Sequence, residues 1–144
     1  MSHKLTLQQI RDFTERMPFN THLGIHVERV HKDGLTISLP LREEFRNAAQ
    51  VLHGGLTATL ADAAAGMSLV REFGGKMVLT TIEMKISYFR PIWGKKVFAR
   101  CKLLRLGKQI CVGSVDIHDD KGKHAGAALV TYMVVGPRQD TKAE

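Results

Sequence analysis

From Asn47 to Val70 only Asp62 is formally charged, in a run dominated by Ala, Leu, Thr and Gly that leads to Phe73-Gly74-Gly75. The run is long enough for five turns of helix, with Gly54 and Gly55 at its opening and the Phe-Gly-Gly as a stop signal. Small residues lie on nearly every side, which predicts a helix buried all round, so the rest of the chain has to wrap it. A membrane span is the other use for so apolar a stretch. Asn47, Gln50, His53, the glycine pair, Thr57, Thr59 and Asp62 argue against one.

The flanking segments read as the wrapping. Leu7, Ile10, Thr14 and Met17 share one face of a first helix within residues 1–19. Residues 24–41 read as a hairpin around Lys32-Asp33-Gly34, with Ile25, Val27 and Val30 before the turn and Leu35, Ile37 and Leu39 after it. Beyond the long helix come strand-like stretches at 77–89, 95–106, 109–118 and 124–135, the first with Ile82, Met84, Ile86 and Tyr88 in alternation. The junctions RPIWG, LGK and DDKGK are turn chemistry between antiparallel neighbours, and no crossover helix separates them. The fold class is therefore α+β, with a mostly antiparallel sheet covering the long helix.

A chain of 144 residues, 44% hydrophobic and 24% charged, fits one globular domain over residues 1–144, with a polar, flexible tail at 136–144. The N-terminal stretch lacks the apolar core of a signal peptide. Cys101 and Cys111 have no metal-ligand spacing to another Cys or His and are too few for a disulfide framework, so a reducing, cytoplasmic setting is expected. The net charge of +7 implies an acidic partner. From Lys85 to Lys108 the cations Lys85, Arg90, Lys95, Lys96, Arg100, Lys102, Arg105 and Lys108 follow one another without an acid, either as a solvated strand face or as a phosphate-binding rim.

On the helical wheel Asp62 shares its face with Gly55, Ala58, Thr59, Ala65, Gly66 and Leu69, mostly small residues that leave room for a ligand or a partner backbone. A buried carboxylate satisfied by neighbouring donors would explain Asp62 without chemistry, but the cost of a charge there favours function. His53 and Asp62 lie about 13 Å apart and on opposite sides of one helix, so a single chain cannot join them. Two such helices laid antiparallel in a dimer would bring Asp62 of one chain to the His53-Gly54-Gly55 start of the other. That start exposes unpaired N–H groups that glycine lets a substrate approach, the outline of an oxyanion hole beside a carboxylate.

Asn47, His53-Gly54-Gly55, Asp62 and the stretch TTIEMKISYFRP resemble the hotdog-fold acyl-CoA thioesterases of the PaaI-like group, within the 4-hydroxybenzoyl-CoA thioesterase superfamily. The resemblance covers residues 20–135 or so. It implies a long central helix wrapped by a six-stranded antiparallel sheet, and homodimers that often pair into homotetramers with sites at the dimer interface. It makes Asp62 the catalytic carboxylate and the Gly54 amide of the other subunit the oxyanion donor. Asn47 would hold the thioester carbonyl, His53 would shape the loop, and Thr81, in place of a more usual serine, would position water. The coenzyme A moiety of the substrate would lie over the basic run, with Gly55, Tyr88, Arg90, Arg105, Gly107 and Lys108 as binding candidates and the RLGKQ turn offering charge and open amides.

No metal and no cofactor beyond coenzyme A itself is implied. A hydratase or dehydratase on the same fold would need an acid and a base and could use His53 with the partner's Asp62, but the Asn47-to-Gly55 pattern fits hydrolysis better. A binding module for acyl-CoA or nucleic acid is the remaining alternative: Tyr88, Phe89, Trp93 and Phe98 interleave with the cations, yet no nucleic-acid motif accompanies them and Phe98 is expected to face the core.

Overall fold

A computed structural model describes residues 3–139. The N-terminal helical segment is two helices, α1 (Leu7–Glu15) and α2 (Pro18–Leu23), where one was expected. Proline is acceptable in a first turn and not in a helix interior, so Pro18 starts a new helix, which Gly24 ends in the left-handed region at φ 77°. Thr6 caps α1 with a reciprocal bond to Gln9, and Ile10 and Thr14 are buried on the anticipated face. The hairpin follows as β1 (His26–His31) and β2 (Gly34–Pro40), then a 3-10 turn at Glu43–Phe45 and the long helix α3 (Gly54–Glu72). Strands β3 (Met77–Tyr88), β4 (Lys96–Leu106), β5 (Ile110–Asp119) and β6 (His124–Pro137) complete the chain.

All six strands form one antiparallel sheet in the order β1-β2-β4-β5-β6-β3. β3 therefore pairs with β6 and not with β4, contrary to the hairpin expected at RPIWG. The sheet wraps α3, which packs against β2, β3, β4, β5 and β6. Three strand spacings of about 4.8 Å separate β3 from β4, well within the reach of residues 89–95. That connection is anchored on the way by buried Ile92, whose carbonyl accepts the Leu52 N–H at 3.0 Å.

Inside the wrap Leu60, Ala61, Ala64, Ala65 and Leu69 of α3 meet Ile37, Leu39, Val97, Ala99, Cys101, Val115, Ile117 and Val130 of the sheet, all essentially without solvent exposure. Small residues on the helix let the backbone of the sheet come close while the strands supply the bulk. Cys101 and Cys111 are free and buried, and burial pushes the Cys101 thiol up to about 11. Phe98 departs from expectation: Val97 and Ala99 face inward, so Phe98 between them points out of the core and is half-buried.

Two further expectations change. Within one chain α3 is buried all round only from Ala64 to Val70; in its first half Gly55, Ala58, Thr59, Asp62 and Ala63 remain on an open face. The tail is ordered further than expected, since β6 runs to Pro137 and the Arg138 N–H donates to Lys76 O at 2.7 Å; residues 140–144 lie outside the described residues. No helix among the described residues is long and apolar enough to cross a membrane. Because Leu60 is fully enclosed by sheet side chains, Leu60→Ala should lower unfolding free energy by about 2–5 kcal/mol in a urea titration.

Candidate active site

The start of α3 is held by a loop whose polar groups are largely committed. Asn47 Oδ1 accepts from Ala49 N at 2.9 Å and from Val51 N at 3.4 Å, folding the loop back on itself with Gln50 at φ 64°. The His53 N–H reaches Phe45 O at 2.9 Å, and its Nδ1 caps the helix by accepting the Gly55 N–H at 2.9 Å. An accepting Nδ1 carries no proton, so the ring's proton is on Nε2. A Cβ on Gly55 would stand 3.0 Å from Nδ1, so the second glycine keeps the imidazole seated. Gly55, grouped by sequence with the substrate-binding residues, thus spends its N–H within the chain.

The next two amides are also used, Leu56 N and Thr57 N bonding His53 O at 2.9 and 3.4 Å. The Gly54 N–H has no partner among the described residues. It lies on a cleft of about 380 Å³ that also includes Asn47, Thr57, Tyr88, Arg90 and Ile92. The Asn47 side-chain Nδ2 is likewise without a partner among the described residues. Tyr88 donates its hydroxyl to Gly54 O at 2.8 Å, so this coenzyme A candidate anchors the first helical turn.

Asp62 sits half-buried two turns along. Its Oδ1 accepts the Thr81 hydroxyl at 2.7 Å and the Tyr132 hydroxyl at 2.7 Å; Tyr132 also reaches the Asp62 main-chain carbonyl at 3.0 Å. Oδ2 has no partner among the described residues. Thr81 is aimed by a β-bulge. Ile82 is the extra residue between the pairs Thr81↔Tyr132 and Glu83↔Thr131, so Ile82 leaves the alternation with Met84 and Ile86 and is 52% exposed. Tyr132 escaped the sequence reading, because one aromatic in an alternating strand looks like core. Burial pushes its phenol well above the usual tyrosine range and keeps it a donor.

Across the sheet Thr81, Tyr132, Cys111 and Leu106 are successive partners, which puts the turn bearing Arg105, Gly107 and Lys108 at the Asp62 end. Tyr88 pairs with Gly126 at the far end, beside Gly54. The candidates thus fall into two sets in one chain: Asn47, His53, Gly54, Gly55, Tyr88 and Arg90 at one end, Asp62, Thr81, Arg105, Gly107 and Lys108 towards the other. Arg105 and Lys108 line a surface depression. Gly107 is a correction: its N–H, expected to be open for a phosphate, donates to Ile110 O at 3.0 Å, and a Cβ there would fall 2.3 Å from the same oxygen. The glycine is required by the tight turn. Among the described residues no group of His, Cys, Asp and Glu could hold a metal ion.

A long helix inside a six-stranded antiparallel sheet is the hotdog architecture, and here the helix carries a carboxylate on its open face and, among the described residues, an unpaired amide at its start. A family model described as the thioesterase superfamily matches residues 49–125. The chain is 30% identical over 139 residues to the medium/long-chain acyl-CoA thioesterase YigI of Escherichia coli, covering 85% of this chain and 88% of the relative. It is 30% identical over 117 residues to the proofreading thioesterase EntH of Klebsiella pneumoniae, covering 80% and 84%. A crystal structure of a thioesterase from Haemophilus influenzae superposes with a TM-score of 0.85 at 22% identity, over 98% of this chain and 99% of the other. The chain belongs to the thioesterase superfamily and is a thioesterase.

Gly54 is the first helical residue, its φ is not left-handed, and its Cβ position has no neighbour nearer than 3.5 Å. His53 at ψ 129° already has the backbone a following proline needs. Gly54→Pro should therefore unfold in urea within about 0.5 kcal/mol of the parent. Gly107→Ala, forced against Ile110 O, should lose more than about 1 kcal/mol in the same titration.

Proposed function

We propose that this protein hydrolyses acyl-CoA thioesters to the free acid and coenzyme A, in a site made by two subunits. The observation that carries the reading is the pair of open groups, Asp62 Oδ2 and the Gly54 N–H, each built by committed neighbours and each left without a partner among the described residues. The Gly54 amide stabilises the oxyanion of the tetrahedral intermediate. The Asp62 carboxylate either takes a proton from the attacking water or attacks the carbonyl itself to give an anhydride that water then cleaves. In both paths the C–S bond breaks, the thiolate leaves and is protonated, and one water is consumed; direct attack puts the water oxygen on the acyl carbon, whereas an anhydride opened at its Asp62 carbonyl gives the acyl carbon an Asp62 oxygen and leaves the water oxygen in Asp62. Single turnover in labelled water separates them, since only the anhydride path puts label into Asp62. Asn47 Nδ2 adds a second donor near the carbonyl, Thr81 orients the carboxylate, and His53 holds the turn that presents Gly54.

Support for the dimer comes from the free edge of the sheet. β3 is an edge strand of 12 residues with Val78 41% and Ile82 52% exposed, features that proteins normally cover. A second copy added antiparallel along this edge would place α3 beside α3 and Asp62 opposite the partner's helix start. Ile110, Leu129, Met133 and Val135 expose a second apolar surface on β5 and β6, which would suit pairing of dimers into a tetramer. Arg90 of one chain and Arg105 and Lys108 of the other would then flank one site with charge for the coenzyme A phosphates.

A largely apolar pocket of about 350 Å³ is walled by Gly66 and by Tyr132, the hydrogen-bond partner of Asp62, with Phe13, Met17, Met67 and Leu79 around it and Arg138 as its one charged lining residue. It suits the acyl group, and flexible methionines suit an aliphatic one.

Asp62→Asn should fold normally and lose at least about a hundredfold in kcat, measured by free-thiol release across aryl, short, medium and long acyl-CoAs. Hydrolysis at the parent rate would contradict the mechanism. Loss of enoyl absorbance without thiol release from an enoyl-CoA would favour a hydratase instead.

A further inference from the structure

The Asp62 carboxylate is asymmetric. Both of its hydroxyl partners, Thr81 and Tyr132, converge on Oδ1 at 2.7 Å, and neither touches Oδ2. Tyr132, a residue 7% exposed, enters from β6, the strand beside β3, and its hydroxyl lies between the carboxylate and the main-chain carbonyl of Asp62, within hydrogen-bond distance of both. Holding side chain and main chain of Asp62 together fixes the carboxylate's rotation.

α3 makes room for this contact at one position. A Cβ on Gly66, one turn after Asp62, would lie 2.6 Å from the Tyr132 hydroxyl oxygen and 3.2 Å from the ring carbon that bears it. No real side chain approaches so closely, so the phenol reaches Asp62 only because residue 66 is glycine. A buried tyrosine hydroxyl needs a partner, and the Asp62 carbonyl at 3.0 Å would satisfy it. The phenol's one proton is shared between the two acceptors, and the shorter arm, to the carboxylate, is a charge-assisted contact that burial alone does not require.

Resting on the thioesterase reading above, we propose that Tyr132 is a positioning residue for Asp62, that Gly66 is glycine to admit it, and that Oδ2 is the oxygen that reacts. With Oδ1 occupied by two donors, Oδ2 alone is free to take the water proton or to bond the acyl carbon. Misdirecting a reacting group by about 1 Å can cost a hundredfold in rate without weakening substrate binding.

The test is a double-mutant cycle with purified Tyr132→Phe, Gly66→Ala and the pair, with Asp62→Asn alongside and thermal melting as the folding check. Tyr132→Phe should lower kcat about tenfold or more with KM within about twofold. Gly66→Ala should do the same by displacing the phenol. The double variant should be no slower than Tyr132→Phe, because removal of the oxygen removes the clash.

Tyr132→Phe at the parent kcat, or losses that multiply in the double variant, would overturn the inference. If Tyr132→Phe does not fold, Gly66→Ala alone decides: a fall in kcat at constant KM supports the proposal and an unchanged kcat overturns it. Activity retained by Asp62→Asn would instead sink the underlying reading, so the two failures are distinguishable.

Discussion

A straight helix cannot bring a side chain back to its own first residue, and here that rule holds Asp62 about 12 Å from the Gly54 amide. Both ends of the site are rigidly built on α3, which the sheet grips through Leu60, Ala61, Ala64 and Leu69. The helix therefore acts as a spacer as much as a support. The proposed chemistry, with both groups on one carbonyl, requires two helices, and the open half-face of α3 with the free edge of β3 would give the second a place to lie.

At each end the same economy operates: neighbouring donors are satisfied so that one group stays open. His53 and the main chain take up the Gly55, Leu56 and Thr57 amides and leave Gly54. Thr81 and Tyr132 take up Oδ1 and leave Oδ2. Preorganisation of this kind needs no rearrangement during reaction, which is why fixed donors in a partly dehydrated site are effective. Three of the glycines serve three different ends. Gly55 spares the His53 ring, Gly66 admits the Tyr132 hydroxyl and Gly107 allows the β4–β5 turn to close.

Much of this was legible in the sequence because it is local. One charge in an apolar run marks Asp62, the glycine pair and stop signal bound the helix, and alternation locates the strands. What failed depends on pairing between distant residues. Turn residues at RPIWG suggest a hairpin, but whether β3 pairs with β4 or β6 is decided by wrapping around α3. The bulge at Ile82 breaks the alternation without a local signal, and it is this bulge that aims Thr81. Tyr132 reads as an ordinary strand aromatic until its register with Thr81 is known. Gly66, among small neighbours, could have hinted at a close approach, though not by what. At RLGKQ the glycine reads as an open phosphate turn, whereas the Gly107 amide is closed on Ile110.

The central claim is that Asp62 of one subunit works with the Gly54 amide of the other. It is tested most directly by mixing two inactive proteins, Asp62→Asn and Gly54→Pro, under conditions that exchange subunits, and measuring thiol release. Each mixed dimer would hold one site with an intact carboxylate and an intact amide, so random exchange should restore about one quarter of the parent activity. If subunits exchange and no activity returns, the shared site is wrong.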